Sequence, residues 1–575
     1  MKEINTEQRL LLALVLSVIV ITLSDLFVFR RLPGAPAPGQ RPPGQVEPPA
    51  RPTSPAMPAP ATPAAQPGAQ APSPAAPAVA AANEQAVVVD SSVYRVVLSN
   101  RGAVVRSWQL KRYHDDSSPP RVLDVVHPPA NASSEEWPLS LLLVDPKLQS
   151  DANTALFQVQ SSGVALRAPA EVDFSWSDGH LAVTKQLDFG RDYLVRLRSS
   201  VTLDGRPLAY AVAWRGGFGD PTAENAAAQV SMFYASAGKI ELLAGKKLGS
   251  SNQPDLPAEV RGPIQFAGIE DHYFAAAFLP LDESLSAWDW RTERQVTVDG
   301  KPTPEDVAEV AVGAPETAPG PVALQLYVGP KALGELGSVN PELRQLVHYG
   351  WLGIIAAPLF DFLQFIHRYV PNYGWAIVVL TIVLNMALFP FRMSQWRSMQ
   401  KMQRVMPELK AIQNRYKKYP MRDPRRQKMN EEMMELYRRE GVNPMGSCLP
   451  MVFQMPIWIG LYEMLGVAIE LRHARWIGWI HDLSAHDPYY IIPALMVVAG
   501  YAQQKMTPAT TVDPNQQKML NYMPVLMGLF FFRLSSGLNL YILTSYVVGV
   551  AQQYYLNKTA PAPIPAGRAK RQATE

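Results

Sequence analysis

The sequence predicts a multi-pass α-helical membrane protein: six transmembrane helices, the last five clustered as a core, with a large all-β sandwich domain outside the cytoplasm. Three observations predict it. Apolar runs close to the ~20 residues that cross a bilayer recur, once near the N-terminus and repeatedly after residue 370. Residues 86–335 switch to an alternation of period two, the pattern of strands. The composition agrees: 47% of the 575 residues are hydrophobic and 18% charged, yet mean hydropathy is −0.05. Strongly apolar segments are therefore diluted by polar ones, and a one-domain soluble enzyme is excluded.

The apolar runs are residues 10–29, 371–391, 449–471, 489–506, 519–534 and 538–556. Ser535-Ser536-Gly537 leaves room only for a tight turn, so the last two spans form a hairpin. The first run is longer than a signal-peptide core and lacks a small-residue cleavage site before Arg30-Arg31, so it reads as an uncleaved anchor behind a nine-residue cytoplasmic N-terminus. Orientation follows from basic loops. Residues 392–440 hold 14 Lys/Arg against 6 Asp/Glu, a net of 14 − 6 = +8. The tail 557–575 adds Lys558, Arg568, Lys570 and Arg571. Both regions are expected in the cytoplasm, as is the short loop 507–518, whereas the nearly balanced loop 472–488 suits the other side.

Residues 30–85 form a Pro/Ala-rich linker with 16 prolines between Pro33 and Pro77. Such a segment buries no core and favours an extended chain, reaching on the order of 150 Å at ~3.1 Å per residue. In the β domain, Val87-Val88-Val89, Tyr210-Ala211-Val212-Ala213-Trp214 and similar runs alternate with turns such as Asn100-Arg101-Gly102, Ser177-Asp178-Gly179 and Asp299-Gly300. The lone Cys448 excludes a disulfide framework and a multi-Cys metal site. Gly238 and Gly245-Lys246 have the wrong spacing for a phosphate loop. A structural or docking module is the favoured role of this domain, with a carbohydrate or peptide groove as the alternative.

Residues 341–370 predict an amphipathic helix along the outer interface, with Leu343, Leu346, Leu352, Ile355 and Leu359 at helical spacing and Trp351 at headgroup depth. Residues 392–448 predict a basic helical hairpin broken at Tyr419-Pro420 and Asp423-Pro424. Its stripes, Met399, Met402, Val405, Met406 and Leu409 on one arm, Met429, Met433, Leu436 and Tyr437 on the other, suit packing of the two arms. They also suit contact with apolar segments, lipid headgroups or ribosomal RNA.

Three stretches carry a resemblance: Asn443-Pro444-Met445-Gly446-Ser447-Cys448-Leu449-Pro450 with Gln454-Met455-Pro456-Ile457, Trp479-Ile480-His481-Asp482-Leu483-Ser484 with Asp487-Pro488-Tyr489-Tyr490, and Ser536-Gly537-Leu538 with Leu540-Tyr541. Together with the element order they resemble the YidC/Oxa1/Alb3 family of membrane protein insertases, in its Gram-negative form. The resemblance implies a bacterial inner-membrane insertase and chaperone, not an enzyme. Its five-helix core would hold a polar groove open to cytoplasm and lipid. The β domain would be periplasmic and both termini cytoplasmic, with no cofactor, no catalytic residue and no metal. Its implied partners are nascent inner-membrane proteins, the Sec translocon, the lipid bilayer and, through the basic loop and tail, the ribosome, with no DNA. Against that mechanism, Thr381, Asn385 and Gln454 are candidates for the hydrophilic groove, and Met451, Met455, Ile457, Trp458, Val525, Leu526 and Phe530 for an apolar client slide. The family's groove arginine falls on Asn385 here. Glu463 and Arg533, at similar depth, are expected to form an intramembrane ion pair. His481-Asp482 and His486-Asp487 read as loop caps before they read as metal ligands. A secondary transporter or channel is the competing class, but the spans offer almost no carboxylates beyond Glu463 for a relay. An envelope sensor or carbohydrate-binding protein is the third, and it makes the β domain the active part.

Overall fold

The computed structural model describes residues 77–117, 119–127, 137–161, 163–222, 230–236, 238–243, 247–249, 257–260, 264–281, 285–298, 301–420, 423–442, 449–507 and 514–559. The expected anchor, most of the linker, Cys448 and the end of the basic tail lie outside them.

The β-rich region forms three sheets. The largest has ten strands, in the order Lys239–Leu243, Ser231–Ser236, Ile264–Glu270, Phe274–Pro280, Val322–Pro330, Leu194–Leu203, Leu181–Phe189, Ala170–Ser177 and Gln158–Gln160, with Arg206–Pro207 paired to Leu194–Leu203. Two five-stranded sheets complete the domain, one running Val122–Asp124, Val104–His114, Tyr94–Ser99, Ala86–Asp90, Ala165–Arg167, the other Ala258–Val260, Ser286–Val298, Lys301–Ala314, Tyr210–Trp214, Ser140–Leu143. Pairing is antiparallel as expected except where Ala86–Asp90 meets Ala165–Arg167, which run parallel. One continuous apolar core draws on all three sheets, with Val96, Trp108, Phe174, Val195, Val212 and Trp214 fully buried. Alternation builds it: in Leu181–Phe189 every second residue points inward, including Lys185. That ammonium is buried and donates to the carbonyls of Gly102, Ala103 and Leu139 at 2.9, 3.1 and 2.7 Å.

The chain then turns helical. The expected interfacial helix is broken: Pro341–Leu346 and Gly350–Leu352 are 3-10 turns, and α1 runs Gly353–Tyr369. Gly350 causes the break, because its φ of +60° lies in the left-handed region that a helix interior excludes. On α1, Ile354 is 85% exposed and Phe365 and Tyr369 also face outward, an apolar face that the fold leaves uncovered. The remaining helices are α2 (Tyr373–Ala387), α3 (Phe389–Tyr416), α4 (Arg425–Arg439), α5 (Leu449–Val467), α6 (Ile491–Met506), α7 (Pro514–Phe531) and α8 (Ser536–Thr559). Asn372 caps α2 by accepting from Trp375 N–H at 3.1 Å, and Asp487 caps α6 through Ile492 N–H at 2.7 Å. The stripes of α3 and α4 face each other, burying Met399, Met402, Val405, Leu409, Met429 and Leu436. Arg415–Glu432 and Arg439–Glu408, both at 2.8 Å, rim the hairpin.

Among the described residues, Gly350–Tyr369 is the one single helix long and apolar enough to cross a membrane; Tyr373–Ala387 and Phe389–Tyr416 qualify together as a pair bent by 53°. The five spans expected after residue 370 thus appear as helices, but among the described residues they do not each reach that measure. Polar side chains such as Gln454, Glu463, Gln503 and Gln552 dilute their apolar runs.

Candidate functional site

A cavity of about 860 Å³ opens between α3, α5, α6, α7 and α8, at the end of the bundle from which the basic hairpin departs. Its lining is mostly apolar, with Met455, Ile457, Trp458, Met527 and Ile542, and polar groups from Ser394, Gln395, Gln454, Gln503, Ser545 and Gln552 are set among them. Pro456 lies within α5 and Pro524 within α7, and a proline inside a helix removes a backbone hydrogen bond. Small residues let neighbouring chains approach, as at Gly549, where an added Cβ would meet the Gln503 amide at 2.6 Å. Trp458 packs edge-on against Phe531 at 5.4 Å, stiffening the apolar wall.

The sequence-derived candidates fall into three groups. Gln454, Met455, Ile457 and Trp458 line the cavity, and Gln454 hydrogen-bonds the Tyr541 hydroxyl. Thr381 and Asn385 do share one face of α2, but that face is covered: they are 0% and 5% exposed. Thr381 Oγ1 donates to Ile377 O at 2.6 Å, and Asn385 Nδ2 donates to Thr381 O at 2.8 Å and Ser545 Oγ at 3.4 Å. They sit one layer behind the cavity wall and hold α8 against α2. Val525 and Leu526 are exposed on α7 and Phe530 is half-buried; Met451 lies within α5, its side chain outside the described set.

The expected Glu463–Arg533 pair does not form. Glu463 lies against Gly350, while the Arg533 guanidinium lies over the Phe532 ring at 5.4 Å. Depth along two helices matched, but Glu463 turns to the break at Gly350 and Arg533 to Phe532.

Sequence reasoning missed Arg392, which lines the cavity. Its Nη1 donates to Gln552 Oε1 at 2.8 Å, and Gln552 Nε2 donates in turn to Asn385 O at 3.1 Å. Arg392 had been counted among the charges of the basic loop. The available signal was its spacing, seven residues or two helical turns beyond Asn385.

The opposite end of the bundle is tied shut. Ser536 N–H donates to Ala485 O and Gly537 N–H to Leu483 O at 2.7 and 2.8 Å. Asn372 Nδ2 holds Arg475 O at 3.0 Å. The loop in turn grips the β domain. Arg472 is ion-paired with Asp220, their side chains 3% and 1% exposed, and it donates to His114 O at 3.1 Å. His473 Nε2 lies 3.0 Å from Asp116, and that hydrogen bond, with Arg472 beside it, outweighs burial and holds the Asp116 carboxyl below its ordinary range. Asp116, His473 and Asp482 together offer atoms close enough to hold a metal ion, but Arg472 at 3.5 Å from Asp116 already supplies the positive charge. Next to this contact, Glu270 is buried with Lys331 at 3.3 Å and His348 at 3.2 Å. Burial raises its pKa, but the Lys331 ammonium and the hydrogen bond with His348 more than offset that and keep it low.

An all-β domain joined to a helical bundle with a largely apolar cavity that carries several amides, and with uncovered apolar helix faces, defines a membrane protein whose bundle offers polar groups a place within an apolar setting. Family models agree in both halves. The YidC periplasmic domain matches residues 86–362, and the 60Kd inner membrane protein family matches residues 365–563. A membrane protein insertase YidC of Ralstonia nicotianae is 32% identical over 507 residues, covering 84% of this chain and 85% of that one. One from Geobacter sulfurreducens is 31% identical over 492 residues, 82% and 86% of the two chains. One from Polynucleobacter asymbioticus is 37% identical over 327 residues, 56% of each chain. The chain belongs to the YidC family of membrane protein insertases.

Proposed function

We propose that this chain inserts proteins into the bacterial inner membrane by taking the polar flank of a client into the cavity while the client's apolar segment leaves into lipid along α5 and α7. The observation that carries the reading is the cavity's mixed lining, amides and hydroxyls set among Met455, Ile457 and Trp458. A polar flank in hydrocarbon loses its water with no replacement, at several kcal/mol per group. In the cavity, Gln454, Ser545 and Gln552 replace part of that hydration. Partitioning of the apolar segment, at about 25 cal/mol per Å² removed from water, drives the step without nucleotide or covalent chemistry. The basic hairpin and tail face the cytoplasm in this reading, with both termini on that side. There they attract ribosomal RNA or anionic headgroups, and the Sec translocon joins for larger clients.

The test is reconstitution. The purified chain in liposomes is present while a single-span client with a short polar tail is translated, and protection of the tail from protease is compared with empty vesicles. Protein-dependent protection, reduced by Gln454→Leu, supports the reading; equal protection in empty vesicles refutes it.

A further inference from the structure

We propose that Asn557 is a positioning residue for insertion: it ties α3, α6 and α8 together along one border of the cavity and so limits the length of polar flank that the cavity admits. This rests on the insertase reading above. Asn557 Oδ1 accepts from the Trp396 indole Nε1 of α3 at 3.1 Å and from Gln553 Nε2 of its own helix at 3.0 Å. Its Nδ2 donates to the carbonyl of Met506, the last residue of α6, at 3.0 Å. The amide can face only one way. An indole N–H donates and never accepts, and a carbonyl accepts and never donates, so turning the amide over sets donor against donor and acceptor against acceptor. Met506 O is one of the carbonyls that a helix end leaves without an intrahelical partner, and Gln553 Nε2 adds a longer contact to it at 3.5 Å.

The tie borders the cavity. Trp396 and Gln553 line it, as do Thr507, which follows Met506, and Leu556, which precedes Asn557. Trp396 is 7% exposed, so its N–H has little water to return to when the bond breaks. Asn557 stands at the surface, and truncating it opens no core. The 53° bend leaves α3 attached to the bundle at its base; Trp396, the eighth residue of α3, gives it a second fixed point. A cavity of about 860 Å³ is roughly 10 Å across, the span of about three extended residues. A longer polar flank needs α3 to move off α6 and α8, which the tie opposes.

The experiment uses proteoliposomes of the full chain and two single-span clients that differ only in the polar tail, one matched to the cavity and the other several times longer. Protease protection of each tail is read for the native chain, Asn557→Ala, Trp396→Phe and the double variant. Asn557→Ala is expected to raise the long-to-short insertion ratio about three- to tenfold, the scale of one hydrogen bond. Trp396→Phe raises it too, and the double variant matches Asn557→Ala, because both changes remove the same bond. Nitroxides on Arg397→Cys and Lys505→Cys, exposed positions of α3 and α6, in a Cys448→Ser background give a distance distribution that broadens in Asn557→Ala. An unchanged ratio, an equal fall for both tails, a double variant at the product of the two singles or an unaltered distance distribution overturns the proposal. Failure of the native chain to protect either tail instead sinks the insertase reading.

Discussion

Replacing Asp220 with Asn tests the contact between the β domain and the loop after α5. Arg472 and Asp220 are buried together at 3% and 1% side-chain exposure. Removing one partner of a buried pair costs about 3–5 kcal/mol, because the other charge stays desolvated. Arg472 retains His114 O at 3.1 Å, Asp116 at 3.5 Å and the rings of Tyr273 and Phe274 at 5.4 and 5.5 Å. Asp116 is 45% exposed and so screened by water. The lower end, about 3 kcal/mol, is expected. At about 2–4 °C per kcal/mol for a domain of this size, Asp220→Asn lowers the melting temperature by roughly 6–12 °C. Tryptophan fluorescence of the detergent-solubilised full chain reads it. Asp220→Asn/Arg472→Met is expected to recover most of the loss, since it leaves no unpaired buried charge. A drop below about 2 °C for the single variant, or a double variant as unstable as the two singles summed, refutes the argument.

Other outcomes are equally specific. Gly350→Val places a side chain at φ +60° and against the Glu463 carboxylate; it is expected to cost about 2 kcal/mol or more, with partial relief from Glu463→Ala, read by the same melts. Burial pulls the Lys185 ammonium from 10.5 down to about 7. The unfolded chain therefore holds more protons between pH 7 and 10, so stability of the β domain rises with pH in that window, and Lys185→Met is expected to flatten the rise. Asp116 behaves oppositely. Its folded pKa is depressed, so its contribution is complete above about pH 4 and disappears as the pH falls through the lower folded value. Melts of Asp116→Asn and the native chain should differ at pH 5 and converge only as the pH falls well below about 4.

Much of the fold was legible because it rests on local period. Strand alternation located Tyr210–Trp214 and Val322–Pro330, and apolar runs located α2 and α5 to α8. What stayed hidden depends on neighbours distant in sequence. Thr381 and Asn385 share a helix face, but only the position of α8 decides whether that face is open or covered. Glu463 and Arg533 sit at comparable depth, yet depth does not say that Glu463 turns toward Gly350 and Arg533 toward Phe532. Arg392 was read as one charge among many, since net charge by region does not register that a bend returns one residue to the bundle. Lys185 drew no notice in the sequence, because alternation identifies an inward position without saying what an ammonium finds there.

The bend after α2 also makes α3 a lever of very unequal arms. Its 28 residues extend about 42 Å at 1.5 Å per residue, whereas Arg392, the fourth of them, stands only about 5 Å from the pivot. A swing of 9 Å at the hairpin tip therefore displaces Arg392 by roughly 1 Å, a shift its long side chain absorbs while keeping hold of Gln552. Whatever docks on the distal hairpin can tug or release it with little consequence for the charge in the cavity. Motion at the tip and packing at the base are mechanically insulated from each other.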